Sequence, residues 1–225
     1  MICLDPKKSD YQGENADEES AIVDNFILEM SEILDDLDRI ALFKMTDILA
    51  MARDRGSRVY IVGNGGSAAT ASHFACDLMK SASTPDSGGI RVHSLVDNIS
   101  LVSALTNDDG WSEVYLQQLQ CHFEPGDVVL AISVGGGEGS DRAGPRSQNL
   151  IRALQYAKDN GGVALGMAGC GGGAFREICD VCLVVDSSSM SHVESMHVLV
   201  EHLICHLLKR RFASGGRTRQ QDGSK

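Results

Sequence analysis

The sequence predicts an α/β protein with a doubly wound, flavodoxin-like parallel sheet and flanking helices, and three observations predict it. Five short apolar runs alternate with segments of helical spacing: RVYIVG from Arg58, the IRVHSLV region from Ile90, DVVLAIS from Asp127, GVALGMA from Gly162 and DVCLVV from Asp180. Two of the runs break into glycine-rich bends, Gly63-Asn64-Gly65-Gly66-Ser67 and Ser133-Val134-Gly135-Gly136-Gly137. Such bends lie beyond the carboxyl ends of strands, where open parallel sheets take their ligands. The chain has 225 residues, 43% of them apolar, with 24 glycines, enough for one substantial core and in keeping with one domain.

The elements follow in order. Residues 1–20 are polar and acidic and read as a flexible tail. From Ala21 to Arg55 apolar residues recur at helical spacing, from Ile22, Phe26 and Ile27 through Met45, Ile48 and Leu49, which predicts two amphipathic helices. These helices pack either against a neighbouring subunit or against their own core. The segments after Ser67, Trp111, Ser147 and Gly173 are the helices between strands. A last helix over about 193–212 is apolar on more than one face, as expected of burial at a subunit interface. Residues 213–225 read as a second flexible tail, leaving a single domain over 21–212.

A formal net charge of −11 argues against nonspecific nucleic-acid binding, which needs a Lys/Arg surface. No apolar run approaches the roughly 20 residues that cross a bilayer, and the N-terminus has no apolar signal core. A cytoplasmic protein is the expectation. The seven cysteines are scattered and odd in number, which fits reduced, mostly buried thiols. Cys179 and Cys182 form a C-x-x-C inside an apparent buried strand, a poor setting for a redox pair or a zinc site.

The bend from Gly63 to Ser67 runs straight into a helix-forming segment. Small residues expose backbone N–H groups there, and the helix N-terminus adds about half a positive charge. A phosphorylated ligand is the first expectation, with Asn64, Gly65, Gly66 and Ser67 around it and a plain tight turn as the bland alternative. In the second bend Ser133, Gly135 and Gly136 offer a hydroxyl and amides, and Arg142 or Arg146 a charged contact, unless these arginines are simply solvated. His73 and Asp77 stand at i and i+4 on one helix face; Glu194 and His202 are eight residues apart on the last helix, with His192 just before. Two acids and two imidazoles make a Zn²⁺ set by ligand type. Structural pairing is the alternative for each, as it is for His197 with Glu201 and His202 with His206. Asn107 and Asp108 fit an Asx-type turn that caps the next helix, and Asp97 is a further, weaker candidate for a ligand pocket.

Four segments in this order, GNGGS, SALTNDDGW from Ser103, EPGDVVLAISVGGG from Glu124 and HVESMHVLVEHLICHLL from His192, resemble the SIS (sugar isomerase) domain, and within it the phosphoheptose isomerases. The likeness runs from about residue 22 to about 210. It implies an SIS fold over 21–212 and an aldose–ketose isomerase that turns sedoheptulose 7-phosphate into a heptose 7-phosphate through an enediol. It also implies a homotetramer with sites at subunit interfaces. By resemblance, Ser67 and Ser133 hold phosphate and Asn107 and Asp108 lie beside the sugar. His73 binds metal, Asp77 takes the place of a catalytic Glu, Glu194 that of a Gln ligand, and His202 is catalytic. The departures are Asp for Glu at 77, Glu for Gln at 194, and Ser-Val-Gly-Gly-Gly with an insertion through Gln148 where these enzymes have a Ser/Thr-rich loop. Another sugar phosphate, or a non-catalytic sugar-phosphate-binding regulator, therefore stays open beside the heptose reading.

Overall fold

A computed structural model describes residues 15–84, 88–137, 139–141 and 144–221, without the side chains of 140–141, 144–145 and 215–221. The helices are α1 (Ala16–Asp35), α2 (Arg39–Arg55), α3 (Gly66–Met79), α4 (Ile99–Asp108), α5 (Val114–His122), α6 (Gln148–Asp159), α7 (Phe175–Ile178) and α8 (Met190–Gln221). The strands are β1 (Arg58–Gly63), β2 (Arg91–Ser94), β3 (Val128–Ser133), β4 (Ser140–Asp141), β5 (Gly144–Pro145), β6 (Val163–Gly169) and β7 (Val181–Val185).

Five strands form one parallel sheet in the order β2-β1-β3-β6-β7, each within a residue or two of an apolar run read from the sequence. Leaving β1, the chain goes to β2 on one side and then to β3 on the other, so the winding reverses between β1 and β3. That reversal is the switch point where open α/β sheets bind ligands. Gly63 pairs with Ile132 in the register, so the two glycine-rich bends leave neighbouring strands at the same edge. The insertion after Gly137 forms the antiparallel ribbon β4–β5, closed by the Arg146 N–H donating to the Gly139 carbonyl.

Strand side chains alternate between two helical layers. Tyr60, Val62, Val129 and Ala131 face α5 and α6, where Tyr115, Leu119, Leu150 and Leu154 complete a core. Val59, Ile61, Leu130 and Ile132 face the other way, toward the layer of α2, α3 and α8. A fully buried Leu or Phe such as Leu78 or Phe74 contributes about 1.5–3 kcal/mol through lost apolar hydration. On α8 the buried stripe is Val193, Met196, Val200, Ile204 and Leu208, at helical spacing. His197, Glu201 and Cys205 fall on the same buried side.

Caps explain several boundaries. The Asp38 carboxylate accepts the N–H groups of Ile40 and Ala41 to open α2, and Gly56 at φ 72° closes it. Asp127 and Asp180 each latch a neighbouring strand, accepting the N–H of Arg58 and of Ala164 respectively.

Three elements differ from the sequence expectation. Helix α4 is not among the expected helices; the Asn98 side chain accepts the Leu101 N–H and opens it. Helix α1 begins at Ala16, inside the expected tail, where Asp17, Glu18 and Glu19 suit the positive end of a helix. Helix α8 runs to Gln221, because extending a packed helix costs little per residue once it is nucleated. The described residues up to 36 and those from 37 onward form two compact units, and none of the α1 side chains is buried.

Candidate active site

The first bend is fixed at three points. Gly65 takes φ 57° and caps α3, a conformation that a side chain would strain. The Tyr115 hydroxyl donates to the Gly63 carbonyl at 2.5 Å, and Asn64 and Asn149 exchange amide hydrogen bonds of 3.0 and 2.8 Å. Asn64, expected around the phosphorylated ligand, thus spends its amide on the start of α6. The N–H groups of the first turn of α3, from Gly66 and Ser67, have no partner within the helix and so suit an anion. Ser67 and Ser133 are buried at the crevice end of the sheet. The second bend lies against the Cys170–Gly172 turn: a Cβ on Gly136 would stand 2.1 Å from the Gly172 carbonyl oxygen.

Helices α3 and α8 run side by side and parallel, which the matched steps along them show. Gly66 lies so close to Glu194 that a Cβ there would meet Oε1 at 2.5 Å. Seven residues further along each helix, His73 Nδ1 is 2.9 Å from Glu201 Oε1. The His73 and His202 rings meet edge-on, 5.0 Å between centroids. His202 Nε2 is 3.6 Å from Asp77 Oδ2, an ion-pair distance too long for a hydrogen bond, while Ser81 donates to Asp77 Oδ1 at 2.9 Å.

Of the four expected metal residues, the fold gathers His73, Asp77 and His202 and puts Glu194 at the other level, beside Gly66. Among the described residues, the group whose ligand atoms all lie within 4.8 Å of one another is His73, Glu201 and His202. Glu201 was read only as a helix partner for His197; it turns instead to His73. Its place one residue after Val200 in the buried stripe of α8 was the available signal, a carboxylate where an apolar side chain belongs.

The electrostatics follow from burial. Glu201 is fully buried, and burial followed by the nearby Asp77 charge pushes its carboxyl up to about 8. Neither of its oxygens has a well-aligned hydrogen-bond donor. Burial lowers His197 to about 4 against a weak contribution from the Ala168 backbone, and raises the Cys205 thiol beside Asp77 and Glu201. Two imidazoles, converging carboxylates and buried oxygens without aligned donors suit a divalent cation of the zinc class.

The remaining candidates are spread out. Asn107 and Asp108 are exposed on the last turn of α4, with Asn107 donating to Asp108 at 2.6 Å, so they end a helix and do not cap the next one. Asp97 accepts from Ser72, the neighbour of His73. His192 is buried in the first turn of α8. Arg142 lies outside the described residues, and Arg146 is exposed. Burial drives the Cys179 thiol strongly upward and Cys182 up to about 11, so both are thiols at neutral pH and poor nucleophiles. A cleft of about 350 Å³ over the stacked Tyr60 and His93 rings contains none of the expected site residues. No described helix is long and apolar enough to cross a membrane.

Residues 25–169 match the family model described as SIS domain. The chain is 31% identical over 174 residues to a phosphoheptose isomerase of Rhodospirillum rubrum, covering 77% of this chain and 87% of that one. It is 31% identical over 191 residues to phosphoheptose isomerase 2 of Campylobacter jejuni, covering 84% and 90%. The structure of a phosphoheptose isomerase from Francisella tularensis superposes with a TM-score of 0.76 at 21% identity, over 88% of this chain and all of that one. With its winding, its paired glycine bends and its histidine–carboxylate cluster, the chain belongs to the phosphoheptose isomerases of the SIS domain family and is an isomerase.

Proposed function

We propose that the chain interconverts sedoheptulose 7-phosphate and D-glycero-D-manno-heptose 7-phosphate through an enediol, as a cytoplasmic homotetramer that holds Zn²⁺. One spacing carries the choice of a seven-carbon sugar. From Gly66, at the phosphate cradle, to His73 the helix advances about 10 Å. An extended seven-carbon chain places its C2 about 9 Å from a phosphorus on C7, and a pentose 5-phosphate falls about 2.5 Å short of that, by ordinary bond lengths.

In this reading the first-turn N–H groups of α3, the Gly135–Gly136 backbone and the Ser67 and Ser133 hydroxyls hold the phosphate, with Arg146 from the insertion adding charge. His73 and Asp77 would hold the cation, with the neighbouring His202 imidazole left free of it to carry protons, while Glu194 stands at the level of Gly66. A bound Zn²⁺ would supply Lewis-acid polarisation of the sugar oxygens. The placement of Asp77 at His202, and of Glu194 a helix level away, favours Asp77 as the base. Its carboxylate takes a proton from C1 of the ketose, exchanges it with solvent and delivers a proton to C2, while the His202 imidazolium gives a proton to O2 and recovers one from O1.

A panel of sedoheptulose 7-phosphate, fructose 6-phosphate, ribulose 5-phosphate and unphosphorylated sedoheptulose, each assayed for aldose formation, tests this. The heptulose phosphate should give the highest kcat/KM. The insertion and the altered second bend favour a different sugar phosphate as the second reading, and faster turnover of the pentose or hexose would establish it.

A further inference from the structure

We infer that Glu201 is a positioning residue for the metal site: it fixes the imidazole of His73 so that Nε2 faces the cation. The inference rests on the reading above that His73 binds a zinc-class ion. Glu201 Oε1 stands 2.9 Å from His73 Nδ1. The carboxyl is wholly buried, while the His73 side chain is 47% exposed. Glu201 therefore lies behind the ring, on the side away from solvent, and the opposite nitrogen, Nε2, is left toward the site.

An oxygen that accepts the Nδ1–H selects the tautomer whose Nε2 lone pair is free, and a carboxyl does so in either protonation state. Histidine ligands backed in this way bind metals more tightly, because ring orientation and tautomer are settled before the ion arrives. Helix packing makes the arrangement rigid. Val200 and Ile204 flank Glu201 in the buried stripe of α8, and α3 carries His73 against it. The half-exposed ring can rotate to bring its N–H into line, whereas the buried carboxyl cannot move to follow it. Without that oxygen the ring is free to turn about χ2 and to take the other tautomer. The role also accounts for a carboxyl inside an apolar stripe, where it gains nothing for folding and leaves oxygens without aligned donors.

The test is a competition titration of Zn²⁺ against a chromophoric chelator, on the full chain and on two variants, with thermal melting of each metal-free protein alongside. Glu201→Leu removes the acceptor. Its zinc affinity should fall about 10–100-fold, while its metal-free melting temperature stays the same or rises. Glu201→Gln keeps an amide oxygen for Nδ1–H and should bind within about threefold of the unsubstituted chain, the scale of context effects on such contacts. Unchanged affinity in Glu201→Leu overturns the proposal, as does an equal fall in both variants, which would make Glu201 a charged ligand. If Glu201→Leu fails to fold, Glu201→Gln decides: near-native affinity supports the role and a tenfold loss overturns it. Absence of zinc binding by the unsubstituted chain would overturn the metal reading itself, and the inference with it.

Discussion

Burial of Glu201 makes stability depend on pH in a defined direction. Its carboxyl has an ordinary value of 4.5 and stands at about 8 in the fold. The folded state therefore holds this proton where the unfolded chain has lost it. The stabilisation is complete below pH 4.5 and is lost as pH rises through 8. Between pH 7 and pH 8.5 the loss is about 1.2 kcal/mol. His197 acts with the opposite sign in a lower window: its folded value of about 4 lies below the ordinary 6.5, so its contribution is present above 6.5 and lost toward 4. Over pH 7–8.5 it returns only about 0.2 kcal/mol. The raised thiols, Cys182 among them, begin to matter near their ordinary value of 9. Urea unfolding of metal-free protein at pH 7 and 8.5, at fixed concentration, should show the decline, and Glu201→Gln should remove its carboxyl component. The difference of about 1.2 kcal/mol between the two pH dependences corresponds to about 2–5 °C in melting temperature for a chain of this size. Identical pH dependence in both proteins would refute the reasoning.

Other perturbations have equally definite outcomes. His202→Ala should lower kcat about 10²–10⁴-fold, as loss of a general acid–base group does, with the melting temperature nearly unchanged because the side chain is half exposed; unchanged turnover removes it from the mechanism. Gly136→Ala puts a Cβ 2.1 Å from the Gly172 carbonyl oxygen at φ 58°. It should cost about 2–4 kcal/mol in urea unfolding; an unshifted midpoint contradicts the loop packing. Asn149→Ala strips Asn64 of its amide partner. About 1–3 kcal/mol of stability should go with it, together with a raised KM as the phosphate bend loosens; a KM that does not move detaches that pair from the site. Removal of bound metal by a chelator should abolish turnover and Zn²⁺ should restore it, whereas full activity in excess chelator denies the metal a role.

The sheet was legible because its strands are nearly continuous apolar runs with glycine bends at their ends, a pattern set by local residues. Helix α4 was not, since its opening depends on one Asn98 cap and its polar final turn reads as a bend. The site divides in the same way. His73 and Asp77 share a helix face, so helical spacing alone relates them. Glu201 is assigned to His73 only by the packing of α3 on α8, and spacing within α8 offers His197 instead. Asn64 likewise finds Asn149, 85 residues away, through the adjacency of β1 and β3. Glu194 is eight residues from His202, but that much helix advances about 12 Å along the axis, which carries it to the level of Gly66.

The most direct test of the central claim is incubation of the pure protein with sedoheptulose 7-phosphate in D₂O, followed by NMR. Proton transfer through an enediol predicts an aldoheptose 7-phosphate that carries deuterium at C2, and exchange at C1 of the recovered ketose. Folded, zinc-loaded protein that gives neither the aldose nor any exchange at C1 would contradict it.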